Sequence, residues 1–275
     1  MSEATNRPRA ATDVIEALAI AWRLTMADFV QLWLLALIPI GVMTVITVAV
    51  SVPCLGWLLL LVSLLLVKPQ FLAGLYAALV RPVDGRPLDF NDLFAAYRER
   101  FVESMVAMLP VYAIWIVFSL VVMAISGVSM FGAQMFRHAA NEFGPLGVFS
   151  GGAAALATLL SLLFAIGLIA LVMFLPLTIW DHRGSGWDAF LAAVRLSMAR
   201  FGQALGFAAL AFVIYALAWI VGLMLLCIGV VVTLPIAAAW VGMATVLLYR
   251  GWTGREDAPA IPVPPAPAPA PVAPP

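Results

Sequence analysis

Residues 202–249 read GQALGFAALAFVIYALAWIVGLMLLCIGVVVTLPIAAAWVGMATVLLY, a stretch without one Asp, Glu, Lys, Arg or His. A bilayer core about 30 Å thick takes roughly 20 apolar residues to cross. The stretch is far too long for one crossing and suits two, reversing between Trp219 and Gly229. Spans are expected at about 203–221 and 225–246.

Composition extends this reading to the whole chain. Hydrophobic residues make up 65% and charged residues 10%, against about a quarter charged in ordinary soluble domains. Water cannot solvate a surface built from so few polar groups. Four further apolar runs lie upstream: Phe29 to about Val48, the segment from the Ser51-Val52-Pro53-Cys54 turn to about Phe71, Met105 to Ser126, and about Ala153 to Ile179. The expected fold is all-α, a polytopic transmembrane helical bundle of six spans. Residues 1–28 mix basic and acidic side chains ahead of the first run, so no cleavable signal or transit peptide is read there. Phe29 onward is expected to act as an uncleaved anchor.

Arginine placement sets the expected orientation. With the N-terminus inside, the inner segments carry Arg7, Arg9, Arg23, Arg81, Arg86, Arg98, Arg100, Arg183, Arg195, Arg200, Arg250 and Arg255, and the outer ones only Arg137. Lys68 is placed near the inner end of span two, where its stem can snorkel to the headgroups. Trp22, Trp180, Trp187 and Trp252 are expected at the inner interface, with Trp57 and Trp219 at the outer one. Both termini are then cytoplasmic.

The chain also reads as three unequal units. Each opens on an acidic residue, Asp13, Asp92 or Asp188, followed two positions later by Ile15, Phe94 or Phe190. A short amphipathic segment and an apolar hairpin follow, with Pro69, Pro176 or Pro235 in the hairpin's second arm. Asp89-Phe90-Asn91-Asp92 and Ser185-Gly186-Trp187-Asp188 carry helix-start signals, a capping side chain three residues before a carboxylate. Behind them Leu93, Phe94, Tyr97 and Phe101, then Phe190, Leu191, Val194, Met198 and Phe201, recur at helical spacing. Two placements suit such segments: flat in the headgroup plane, with Arg98, Arg100, Arg195 and Arg200 contacting anionic lipid, or packed on the neighbouring spans. Residues 127–150 are expected to form the one sizeable outer loop. Residues 1–12 read as a disordered tail, 13–251 as the membrane domain, and 252–275 as a Pro/Ala-rich disordered tail, extended from Ala258 onward.

Gly85-Arg86-Pro87 before Asp92-Leu93-Phe94, Asp188 with Ala192 and Ser197, and Cys227-Ile228-Gly229 … Leu234-Pro235 … Tyr249-Arg250 together resemble bacterial six-span proteins of the YciC-like kind. They are also similar to the membrane domain attached to some bacterial glycerophosphodiester phosphodiesterases. The resemblance covers about residues 13–251. It implies a bacterial inner-membrane protein of six helices and carries over no catalytic residues.

Reactive chemistry is sparse, and no enzyme is expected. His138 and His182 fall on opposite sides of the expected membrane and cannot share a metal; no catalytic residue, metal or cofactor is assigned. The sequence contains no His-Glu-x-x-His helix, phosphate loop or dinucleotide fingerprint. Asp181-His182 reads as the solvated exit of a span more readily than as an acid–base pair. Within the spans, Lys68 and Gln70 beside Pro69 form the one polar cluster positioned to serve a ligand, because a broken helix frees carbonyls. The expected spans hold no acidic residue at mid-depth, which disfavours an ion-coupled pump. Gly74/Ala78, Gly147/Gly151 and Gly202/Gly206 are faces for close helix approach, within the chain or in a homo-oligomer. Cys54 and Cys227 read as separate thiols or as a pair across the outer turns. With no excess of positive charge, nucleic acid is not an expected partner; membrane lipids and other membrane proteins are. The function read first is that of a non-enzymatic protein organising, assembling or regulating other membrane components; the alternative is a carrier or pore for lipid or another small hydrophobic molecule.

Overall fold

The computed structural model describes residues 10–50, 56–139, 146–182, 184–225 and 228–254. Among them the chain is an all-α bundle with six helical segments long and apolar enough to cross a membrane: Phe29–Ala49, Leu59–Val83, Phe101–Ala124, Thr158–Asp181, Phe201–Met224 and Gly229–Thr253. These are the features of a multi-pass membrane protein.

The first unit comprises α1 (Val14–Ala27), α2 (Phe29–Val50), then α3 (Gly56–Val62) running through a π-helical turn at Ser63–Val67 into α4 (Lys68–Val83). The second holds a 3-10 turn at Phe90–Phe94, α5 (Ala95–Glu99), α6 (Phe101–Ala139), α7 (Leu146–Val172) and α8 (Leu175–Asp181). The third is α9 (Gly186–Ala199), α10 (Phe201–Met224) and α11 (Ile228–Thr253).

Capping starts the amphipathic segments where the side chains require it. Asp13 accepts the N–H groups of Ile15 and Glu16 at 3.2 and 3.3 Å. Asp89 accepts that of Asn91 at 2.9 Å. Ser185 and Asp188 satisfy each other's backbone N–H in a reciprocal capping box.

The prolines act locally in three ways. Pro69 lacks the N–H that a regular α-turn would use, and the preceding turn widens, with the Lys68 N–H reaching the Ser63 carbonyl. Pro176 stands in the first turn of α8, after a break at Met173 and Phe174. Pro235 lies inside α11, which continues through it.

The units close in a ring. Each amphipathic segment packs on the second arm of the preceding unit: α1 on α11, the 3-10 turn and α5 on α4, α9 on α8. Each second arm also meets the next unit's first arm, in the pairs α4–α6, α7–α10 and α11–α2. The amphipathic segments bury small residues, Ala17 and Ala21, Ala95 and Ala96, Ala189 and Ala193. They leave Ile15, Trp22, Phe94, Trp187 and Met198 exposed. They are therefore packed on the bundle, the second of the two expected placements, and leave apolar side chains outward as well.

Indole N–H groups tie the ring where α1 and α8 meet their neighbours. Trp180 donates to Ala73 O at 2.9 Å, Trp240 to Leu18 O at 2.8 Å and Trp252 to Thr12 O at 3.2 Å. Trp180 and Trp252 are buried, so neither forms part of the expected aromatic belt; an indole offered a buried carbonyl is satisfied inside the protein. Trp22, Trp187 and Trp219 are exposed.

Two boundaries differ from the sequence reading. The second membrane-length segment reaches Val83 rather than about Phe71, because the residues beyond Phe71 stay apolar and pack on the second unit. The outer loop expected from residue 127 begins as helix, since α6 continues to Ala139. Polarity determines where a chain leaves lipid, whereas a helix ends only at a breaker or a cap, and residues 127–139 contain no proline. Packing also reaches beyond the expected domain edges: Ala11 is fully buried, its carbonyl close against Gly251. Cys54 and Cys227 lie outside the described residues, as do the chain before residue 10 and after residue 254.

Candidate functional site

At the centre of the ring a cavity of about 820 Å³ is lined by side chains from all six arms. Its wall is mainly apolar, with Pro39, Ile40 and Met43 from α2, Phe71 and Leu75 from α4, and Met108 and Val111 from α6. Ile169 and Val172 of α7, Phe207 and Ala211 of α10, and Ala238 and Val241 of α11 complete it. The volume lies in the upper part of the range of about 300–1,000 Å³ usual for small-molecule sites.

The polar members of the lining are Thr44, Thr47, Lys68, Tyr76, Tyr112, Tyr215 and Thr245. Thr44, Thr47 and Thr245 each donate a hydroxyl to the carbonyl four residues back, at 2.8, 2.8 and 2.9 Å. This local bond lets a hydroxyl sit in an apolar wall without an unmet donor. Among the described residues Lys68 is the single cation of the lining, and no Asp or Glu lines it. Among the described residues no carboxylate pairs with Lys68.

The widened turn at Ser63–Val67 and Pro69 place that ammonium. Gln70, which the sequence groups with Lys68, stands two positions on in α4 and so points to roughly the opposite side. Gln70 is fully buried; its Nε2 donates to Phe101 O at 2.9 Å, and its Oε1 accepts the Ser104 hydroxyl at 2.7 Å. Gln70 thus joins α4 to the first turn of α6 and is not part of the cavity wall. Through that joint Lys68 lies near the level where α6 begins, inside the Leu59–Val83 segment rather than at its inner end; the arginine-rich end of α4 lies thirteen positions further on, at Arg81.

At that end, charges are paired with one another. Arg81 bonds both carboxylate oxygens of Asp92 and pairs with Asp89 at 3.4 Å, and Arg250 pairs with Asp84. The Tyr249 hydroxyl donates to Asp181 at 2.8 Å. Asp181 is thus engaged by Tyr249, while the buried His182 Nδ1 has no partner among the described residues. Hydrogen bonds from the Ser185 hydroxyl and then its backbone N–H hold the Asp188 carboxyl below the usual carboxylate range.

The arginines expected at lipid headgroups lie around the same end. Arg98 is exposed and donates to Asn91 O at 3.2 Å; Arg100 is half-buried, 3.9 Å from Glu103. Arg195 is exposed, and Arg200 is exposed with its guanidinium 5.6 Å from the Trp252 ring centre. Of the small-residue faces, Gly74 meets the Leu93 backbone, whereas a Cβ at Gly202 or Gly206 would meet open space. Gly147 and Gly151 lie where no side-chain surroundings are described.

Sequence reading found Lys68 but missed Tyr112 and Tyr215. The signal was present: tyrosine favours the ends of membrane helices, and these two stand well inside α6 and α10.

No protein-family profile, curated protein or solved structure matches this chain.

Proposed function

We propose that this protein is a carrier or pore for lipid or another small hydrophobic molecule, which it takes from the bilayer into the cavity at the centre of the ring. The observation that carries this reading is the cavity itself: six arms converge on about 820 Å³ with a mainly apolar wall. A bundle whose task was purely structural would gain by filling such a space, since voids forgo dispersion contacts and weaken packing. The membrane is the bacterial inner membrane, with both termini cytoplasmic, a reading that rests on the arginine asymmetry and the resemblance given above. The protein is not an enzyme and needs no metal or cofactor in this account.

The test is occlusion. Ala238→Phe and Thr44→Phe each place a ring in the cavity from an accessible lining position. Reconstituted in liposomes, the parent chain should speed transbilayer movement of a fluorescent short-chain lipid. Both variants should lose that acceleration while keeping the parent's melting temperature. Acceleration that survives both substitutions overturns the reading. Reporter fusions at the two termini check orientation; an N-terminus found outside reverses it.

A second reading, that the protein organises or regulates other membrane components, draws on the exposed apolar residues and arginines of the amphipathic segments and on the Pro/Ala tail. Crosslinking in native membranes that recovers a defined partner, lost on deletion after Gly254, would favour it.

A further inference from the structure

We infer that the cavity recognises an anionic amphiphile: a lipid whose acidic headgroup lies against Lys68 while its chains cover the apolar wall. This deepens the carrier reading and rests on it.

The argument starts from cost. A lysine in a membrane helix is unfavourable by roughly 2.5–3.5 kcal/mol at the centre, less towards the ends, and it is normally neutralised by a carboxylate or directed into water. Lys68 lines the cavity, and no carboxylate pairs with it among the described residues. Arg81 of α4 pairs with Asp92 and Asp89, Arg250 with Asp84, and Arg100 with Glu103.

Other polar groups of the cavity wall favour the same sign of charge. Tyr112 and Tyr215 line the cavity and form no hydrogen bond among the described residues, so their O–H groups remain as donors. An ammonium with phenolic donors matches phosphate or carboxylate oxygens, and charge-assisted bonds of this kind are the stronger class. A cationic or purely hydrocarbon ligand would leave Lys68 uncompensated. Free inorganic phosphate would match Lys68 but leave the apolar wall without a partner, and this observation assigns the ligand to lipid.

The experiment uses the full chain in neutral detergent with dioctanoyl phosphatidic acid, dioctanoyl phosphatidylcholine, dioctanoylglycerol and inorganic phosphate as probes, read by tyrosine and tryptophan fluorescence and by native mass spectrometry. Phosphatidic acid should bind at least about tenfold more tightly than the uncharged glyceride or the zwitterionic lipid, a difference of one ion-pair contact. Lys68→Gln should abolish that preference while leaving glyceride binding within about twofold, and Lys68→Arg should restore most of it. Ala238→Phe should weaken every lipid probe alike. Equal affinity for charged and uncharged lipids, or a preference that survives Lys68→Gln, overturns the headgroup assignment while leaving the carrier reading intact. Inorganic phosphate that binds as tightly as phosphatidic acid overturns the assignment to lipid. Failure of every lipid to bind the parent chain overturns both the assignment and the carrier reading.

Discussion

The Ser104 hydroxyl donates to Gln70 Oε1 at 2.7 Å, a bond between side chains thirty-four positions apart that is closed off from the surroundings. With the Gln70 Nε2 bond to Phe101 O, it fastens the second arm of one unit to the first arm of the next. Removing Ser104 leaves the buried Gln70 Oε1 without its donor, and removing Gln70 strips both bonds and leaves the Ser104 hydroxyl with Phe101 O alone; each should cost about 1–3 kcal/mol. Ser104→Ala and Gln70→Leu should each lower the melting temperature in detergent by several degrees. Lys68→Ala, two residues away but facing the cavity, should not. Equal destabilisation by all three would mean that Lys68 is also part of the framework.

Glycine substitutions separate the packed faces from the open one. A Cβ on Gly74 would collide with the Leu93 backbone, and one on Gly186 with the backbone of Glu103 and Ala107. Neither neighbour is a flexible side-chain tip, so the helices must part. Gly74→Ala and Gly186→Ala should each destabilise by about 1–3 kcal/mol. Gly202→Ala meets nothing within 4 Å and should be neutral or stabilising by up to about 1 kcal/mol through helix propensity. Thermal unfolding of the three variants checks the contrast, and a destabilised Gly202→Ala would point to a helix partner from a second copy.

Much of the architecture was legible because lipid imposes simple rules. The uncharged run 202–249 had to fold as two arms, and α10 and α11 do so. Asp89 and Ser185 announced helix starts through capping chemistry, and both cap; Asp13, read only as the acidic start of a unit, caps as well. The ring closure was not legible. It depends on which small-residue face meets which arm, and Ala17, Ala95 and Ala189 look alike in sequence. The separation of Lys68 from Gln70 escaped because the sequence grouped them by polarity: two positions apart on one helix, they point to roughly opposite sides, one towards the cavity and the other into the protein. Trp180 and Trp252 were read as interfacial because a tryptophan's hydrogen-bond partner is a tertiary fact.

The start of α9 should respond to acid. The Asp188 carboxyl is held below its ordinary range by Ser185, so its folded value lies below the unfolded one. Its contribution is therefore complete above the unfolded value of about 3.9 and is lost as pH falls through the lower folded value. Hydrogen exchange at the first-turn amides of α9 should quicken below about pH 4, relative to intrinsic rates, in the parent chain. In Asp188→Asn those amides should exchange faster at neutral pH and show no such step. A step that persists in the variant would assign it to another group.

Tryptophans distinguish the inner packing from the outward surface. Trp180 is 7% exposed and Trp187 is 49% exposed, though both stand near the ends of the segments around His182. The Trp180 indole donates to Ala73 O, which joins α8 to α4 at the contact between the second arms of two units. Trp180→Phe removes that donor and part of a packed ring, and should cost about 1–2 kcal/mol. Trp187→Phe should change stability by less than about 0.5 kcal/mol, as surface replacements do. The optical signature should run the opposite way. In bilayers containing brominated lipid, Trp187→Phe should remove part of the quenchable fluorescence, while Trp180→Phe should leave that quenchable component unchanged. If Trp187 proves inaccessible to the brominated chains, then the outward apolar residues of α9 face water or another protein, and the amphipathic segments do not rest in the membrane surface.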